Sequence, residues 1–272
     1  MSPDTPVAPG SRRTELAAAL TAVRTRLTEA ARAVGRDPST LTLVVVSKFF
    51  PAADALTLLD LGERDLGESR DQEAAAKAAA VSAQLGTGAS TGPPSDPPRW
   101  HFIGQLQTNK VRSVLGYASA VHSVDRLKLA HALHRAGEAR LAEGGAVLDC
   151  FVQVDLEAAL AGSAAGRAAL GPRDPSAPRG GVAPDALEEL TDAVAGSPAL
   201  RLRGLMAVAP RGVDPGAAFA ELAGLAARVR AAHPGADALS AGMSGDLEAA
   251  VAAGATHLRV GAAILGPRPP AR

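Results

Sequence analysis

The 272-residue chain carries one cysteine, one tryptophan, one tyrosine and only four lysines. With Cys150 alone, no intramolecular disulfide can form, and a reducing, cytoplasmic setting is expected. Aromatic residues make up 3% of the chain and the formal net charge is zero. That composition offers neither a basic face nor base-stacking platforms, so no nucleic-acid partner is expected. No run of 18 apolar residues is present to span a bilayer, and no membrane partner is expected. The opening MSPDTPVAPGSRR lacks the apolar stretch of a secretion signal, and residues 1–11 read as a disordered arm. The six histidines show no metal-ligand spacing with cysteine or carboxylates.

What is present is alternation. A helical spacing of apolar residues runs from Arg12 to about Val34. Eight short apolar strands follow, each separated from the next by a helical segment: 42–48, 65–69, 100–104, 120–124, 148–156, 202–208, 238–242 and 257–265. Alternating strands and helices imply a parallel sheet with helices outside. Eight units in about 250 residues match a (β/α)8 TIM barrel with a leading N-terminal helix, although an open doubly wound sheet satisfies the same tally. Residues 86–98 and 157–183 are rich in Gly, Ala, Ser and Pro and read as loop insertions, leaving residues 12–272 as one domain.

The first strand, TLVVVSK, ends on a lysine. The basic residues are 24 arginines and four lysines, Lys48, Lys77, Lys110 and Lys128, so arginine meets most generic needs for a cation. A lysine at a strand end is then more pointed, because an amine can become a nucleophile while a guanidinium stays charged. From position alone it can hold a phosphate, form a Schiff base or simply be solvated at the rim. In either sheet arrangement, ligands bind where the strands end.

Two turns near the C-terminus suit a phosphate. In SAGMSGDLEAAV, a strand meets a helix at Gly242-Met243-Ser244, with Ser244 the expected N-cap and the following N–H groups open to an anion. In HLRVGAAILG, Gly261 lets a ligand approach the backbone, and Arg259 shares its face. A buried arginine there needs an anion or another acceptor. Closure of the barrel would put strand eight beside strand one, so Lys48, Ser244, Arg259 and Gly261 would share one mouth. An amine and a phosphate cradle within one ligand's length suggest pyridoxal phosphate (PLP). His101 on strand three reads more readily as structural than as an acid or base, and Asn109 beyond it serves either a cofactor rim or a helix cap.

The segments VVVSK, LGES, WHFIGQLQTNK, HSVDRLKLA, LRLRGLMAVAP and SAGMSGDLEAAVAAGATHLRVGAAILG resemble, in order, the pyridoxal-phosphate homeostasis proteins, whose barrel is similar to the N-terminal domain of alanine racemase. The resemblance implies PLP held as a Schiff base on Lys48. Ser244 and the N–H groups of Gly261 and Ala262 would hold its phosphate, and Arg259 would face its ring nitrogen. Met243, His101 and Asn109 would lie about the cofactor. It implies a role in intracellular PLP homeostasis without turnover, with PLP and apo PLP-dependent enzymes as partners and a monomer or weak dimer as the assembly. The alternative is an amino-acid racemase on the same barrel. That is disfavoured because the β-domain carrying the racemase's second base has no counterpart here and Tyr117 lies in no matching motif. Three positions depart from the family pattern: Ser69 where asparagine is usual, Ala262 where threonine is common, and Leu265 where phenylalanine is usual.

Overall fold

The structure, a computed structural model, describes residues 9–86, 97–162, 167, 170 and 180–268. Eight parallel strands close into a barrel in chain order. They are β1 (Thr42–Val46), β2 (Asp65–Glu68), β3 (Arg99–Phe102), β4 (Ala118–Val124), β5 (Leu148–Gln153), β6 (Leu200–Met206), β7 (Ala238–Ser240) and β8 (His257–Val260). Closure is made by β1 against β8, with Val45 opposite Val260. The open doubly wound sheet is thereby excluded.

The helices around it are α1 (Pro9–Ala33), α2 (Ala52–Asp60), α3 (Asp71–Gly86), α4 (Val111–Leu115) and α5 (Leu127–Ala142). They continue with α6 (Leu156–Gly162), α7 (Leu187–Ala195), α8 (Pro215–Ala232), α9 (Leu247–Ala252) and α10 (Ala262–Leu265). No described helix is long and apolar enough to cross a membrane.

On α1, Leu16, Leu20, Val23, Leu27 and Ala31 recur at helical spacing and are all buried. Each full-size apolar side chain so buried contributes about 1.5–3 kcal/mol before entropy is counted. Arginines at the rim of this stripe tie the helix to the seam between β8 and β1. Arg12 pairs with Asp54 at 2.7 Å and donates to the Leu265 carbonyl at 3.1 Å. Arg26 donates to Glu248 and to the Ser244 carbonyl.

Three elements differ from the sequence reading. The first helix begins at Pro9, inside the expected arm, of which residues 1–8 lie outside the described residues. The loose stretch 157–183 opens as helix α6, because the Asp155 carboxylate accepts from the N–H groups of Glu157 and Ala158 while Leu156, Ala159 and Leu160 are buried. The rest of that stretch up to residue 179, apart from 167 and 170, and residues 87–96 of the other expected insertion, lie outside the described residues. The last strand stops at Val260, and Ala262–Leu265 forms a helical turn.

The barrel interior is partly polar. The rings of His101, His122, Phe151 and His257, from four different strands, meet one another there with centroids 4.2–6.5 Å apart. Phe151, Met206 and Ala238 form a small apolar cluster separate from the large core between strands and helices.

Candidate functional site

Lys48 lies two residues beyond β1, in a tight turn in which the Phe50 N–H returns to the Ser47 carbonyl at 3.1 Å. Phe49 is the only described non-glycine residue with positive φ, at 72°. A bulky side chain there is strained, and such strain persists only where neighbours fix the backbone. Those neighbours come from β2 and α3. The Ser47 hydroxyl donates to Glu68 at 2.8 Å. Lys77 donates to the Ser47 carbonyl at 2.7 Å and to Glu68 at 2.6 Å. The Phe49 N–H donates to Glu73, which lies one helical turn before Lys77 and 3.3 Å from its amine. Burial pushes the Glu68 carboxyl up from its ordinary value, against the pull of Lys77. Lys48 itself is half-buried, with its amine 5.6 Å from the Phe49 ring centre.

The two C-terminal turns are cross-linked. The Ala263 N–H donates to the Ser244 hydroxyl at 3.3 Å. Ser244 is therefore not the N-cap of the following helix. That position falls to Asp246, whose carboxylate turns back to accept from the Met243 N–H. Glu248 pairs with Arg26. Both acids beside the turn are thus engaged within the protein. Met243 is 40% exposed on the turn, and Ala262 is exposed at the start of α10. A Cβ added to Gly261 would sit 3.2 Å from the Val46 carbonyl oxygen, so this glycine packs directly on the strand that leads into Lys48. Arg259 is 4% exposed and donates to the Ser240 hydroxyl at 2.7 Å and to the Ala207 carbonyl at 2.8 Å. Burial pushes its guanidinium down to about 10. The structure thus brings Lys48, Met243, Ser244, Arg259, Gly261 and Ala262 to the C-terminal ends of β1, β7 and β8.

His101 and Asn109 are placed differently. The expected position of His101 at or just inside the mouth is corrected. Its Nε2 lies 2.9 Å from Asp65, the first residue of β2, and the carboxylate draws the ring toward the opposite end of the barrel. Its Nδ1 lies 2.8 Å from His122 Nε2, and His122 Nδ1 lies 2.8 Å from the Ser240 hydroxyl. Asn109 is exposed on the 3-10 turn Thr108–Lys110. The adjacent cleft of about 440 Å³, lined by Arg70, Gln105 and Lys110 among others, does not include it.

The residues that hold the Lys48 turn were not singled out from sequence. Lys77 was visible only as one of four lysines, and Glu68 only as part of LGES. His122 showed no spacing signal, because its partner Ser240 is 118 residues away.

The interior histidines also set an acid limit. Burial, then the neighbouring His101 and Arg259, hold His122 well below its ordinary value. Burial, then His101 and Arg203, hold His257 down at about 3 from an ordinary 6.5. Above pH 6.5 the folded and unfolded chains both keep the rings neutral. Below it, the unfolded chain takes up protons that the barrel refuses, so stability falls until His257 itself accepts one near pH 3. The denaturant midpoint is expected to be lower at about pH 5 than at about pH 7.5, and His257→Phe to flatten that slope. Equal slopes in the two proteins would refute the assignment to His257.

The sequence profile of the alanine racemase N-terminal domain family matches residues 19–269. The pyridoxal phosphate homeostasis protein of Mycobacterium leprae is 42% identical over 263 residues, 95% of each chain. That of Pseudomonas aeruginosa is 39% identical over 90% of this chain and 93% of its own. PipY of Synechococcus elongatus, solved with PLP bound, is 30% identical with a TM-score of 0.69, covering 92% of this chain and 100% of its own. A closed barrel of this kind, with a lysine turn and two cross-linked glycine turns on one rim and relatives this close along nearly its whole length, belongs to the pyridoxal phosphate homeostasis protein family.

Proposed function

We propose that this chain binds PLP covalently through Lys48 and holds it for delivery to enzymes that need it, without turning over an amino acid. The observation that carries this reading is the juxtaposition at the β8–β1 seam. Val45 lies opposite Val260, so the turn bearing Lys48 and the turn bearing Gly261 leave the barrel side by side. The donor set fits the cofactor: an amine for an aldehyde, N–H groups and a hydroxyl for a phosphate, and a guanidinium for a ring nitrogen. When bound, PLP supplies an electrophilic carbonyl and an electron-withdrawing ring.

Lys48 is the covalent anchor. Ser244 accepts from Ala263 through its oxygen, which leaves its O–H to donate to phosphate, beside the N–H groups of Gly261 and Ala262. Ala262 has no hydroxyl to add, so the backbone carries that side of the cradle. Arg259 remains a hydrogen-bond donor at working pH, so the ring nitrogen it faces keeps its lone pair and stays unprotonated. That weakens the cofactor as an electron sink, but a racemase on this barrel pairs its cofactor the same way, so the choice between carrier and racemase turns on the second base. A racemase needs a second base. Tyr117 is the single tyrosine, and burial, then Asp71 and Glu68, push its phenol well above the ordinary range, so it keeps its proton. The same reading places the protein in the cytoplasm, as a monomer or weak dimer.

Borohydride reduction of the PLP-loaded protein, followed by peptide mass mapping, is expected to fix one cofactor on Lys48. Lys48→Ala should abolish that trapping. Trapping at the same stoichiometry in Lys48→Ala would refute the anchor, and steady loss of enantiomeric purity in an added amino acid would refute the carrier reading.

A further inference from the structure

A continuous line of hydrogen bonds crosses the barrel interior. It runs from Asp65 to His101 at 2.9 Å, from His101 to His122 at 2.8 Å, from His122 to Ser240 at 2.8 Å, and from Ser240 to Arg259 at 2.7 Å. All five residues are at most 8% exposed. One end is a carboxylate at the start of β2, the other a guanidinium on β8. Resting on the reading that Arg259 faces the cofactor's ring nitrogen, we propose that His122 and Ser240 are positioning residues for Arg259, and that Asp65, acting through His101, sets the direction in which they donate.

The direction follows from donor and acceptor counting. Arg259 can only donate, so the Ser240 oxygen must accept from it. Asp65 also receives both arms of the Arg99 guanidinium. Burial alone would raise its carboxyl, but the hydrogen bonds from His101 and Arg99 hold it well below the usual range, so it is ionised and can only accept. His101 therefore gives Asp65 its Nε2–H. A hydrogen on His101 Nδ1 as well would force His122 to accept there and donate to Ser240, whose own hydrogen would then have no place, so Nδ1 is bare and His122 gives its Nε2–H to His101. His122 Nδ1 is bare in turn, and the Ser240 O–H donates to it.

Neither imidazole nor the serine keeps an unused hydrogen, and every hydrogen along the line points from Arg259 toward Asp65. The reverse arrangement fails on the count. If His122 carried its hydrogen on Nδ1, the Ser240 oxygen would accept from both His122 and Arg259, and its own hydrogen would be left without an acceptor in a fully buried place. Such an orphan costs about 1–3 kcal/mol. The line thus keeps the Ser240 lone pair toward Arg259 and, with the Ala207 carbonyl on the other arm, fixes the plane of the guanidinium.

The test begins without cofactor. Nitrogen-15 NMR of the imidazole rings should show His101 and His122 each as a single neutral tautomer, protonated at Nε2 and bare at Nδ1. Asp65→Asn replaces the pure acceptor with a group that also donates, and His122, one residue removed along the line, should lose its single tautomer. Protonation of His122 at Nδ1 in the unaltered protein would overturn the proposal without any variant having to fold.

The second stage uses pyridoxal phosphate labelled with nitrogen-15 in the ring. Arg259→Gln should move the ring-nitrogen resonance, and Ser240→Ala should move it in the same direction by a smaller amount. An unmoved resonance in Arg259→Gln would bring down the cofactor reading and this proposal with it. A resonance that moves in Arg259→Gln but stays put in Ser240→Ala would leave the cofactor reading standing and overturn the positioning role.

Discussion

Replacement of Lys77 by methionine is expected to cost about 3–5 kcal/mol of folding stability, because it strands a buried carboxylate. Glu68 is 0% exposed, and one of its oxygens already lacks a hydrogen-bond partner among the described residues. Its other oxygen depends on the Lys77 amine at 2.6 Å and the Ser47 hydroxyl at 2.8 Å. Without the amine, Glu68 must ionise unpaired or take up a proton. Because burial already raises this carboxyl, the variant should bind that proton more readily, and its deficit should shrink as pH falls.

The loss is not confined to stability. Lys77 also holds the Ser47 carbonyl, so the turn next to Lys48 loses one of its fixed points. Denaturant unfolding at neutral and mildly acidic pH measures the first effect, and the rate of borohydride trapping of PLP measures the second. The double variant Glu68→Met with Lys77→Met removes both charges and should recover much of the stability, since buried pairs exchange well for apolar residues of similar volume. It should not recover trapping. A single variant that loses under about 1 kcal/mol would show that Glu68 does not rely on this amine.

Gly204→Ala is the second large effect. Gly204 sits on β6 at φ 144°, opposite Ala238 on β7. A Cβ there would lie 1.8 Å from the Ala238 carbonyl oxygen and 2.9 Å from its carbon, both backbone atoms that cannot swing aside. Backbone strain and overpacking cost about 1–3 kcal/mol each, together a large part of the roughly 5–15 kcal/mol that holds a typical domain folded. The displaced strand is the one that carries Ser240 and leads to the Met243–Ser244 turn, so retained PLP should fall along with the unfolding midpoint. Gly224→Ala is the matched control. It lies within α8, with open space around its Cα and no positive φ, and should stabilise by about 0.5–1 kcal/mol. Equal midpoints for the two variants would contradict the clash.

The barrel was legible because its signals are local and repeated. Eight apolar runs alternate with helical spacing, and each run needs only its own residues to be recognised. The errors fall where local signals tie. An apolar stretch such as AAIL suits a strand end or one turn of helix equally, and only the tertiary setting made it α10. Ser244 and Asp246 are both good caps, and the choice was settled by Ala263 from another turn. The lysine, the arginine and the glycine turns were readable because scarcity, burial cost and backbone freedom each point to them singly. The cradle of Glu68, Glu73 and Lys77, and the line from Asp65 to Arg259, were not readable. Their members are ordinary residues whose meaning lies in partners up to 118 positions away.

The seam between β1 and β8 has a consequence for how the protein is made. Lys48 leaves the ribosome well before the turn at Gly261, which lies beside it across the seam. Helix α1, which precedes β1, reaches across to the same later segment through Arg12 and Leu265. A nascent chain that has not yet reached Gly261 therefore has Lys48 without the turn beside it. Capacity to retain PLP should appear abruptly, once β8 has emerged and the circle of strands is complete.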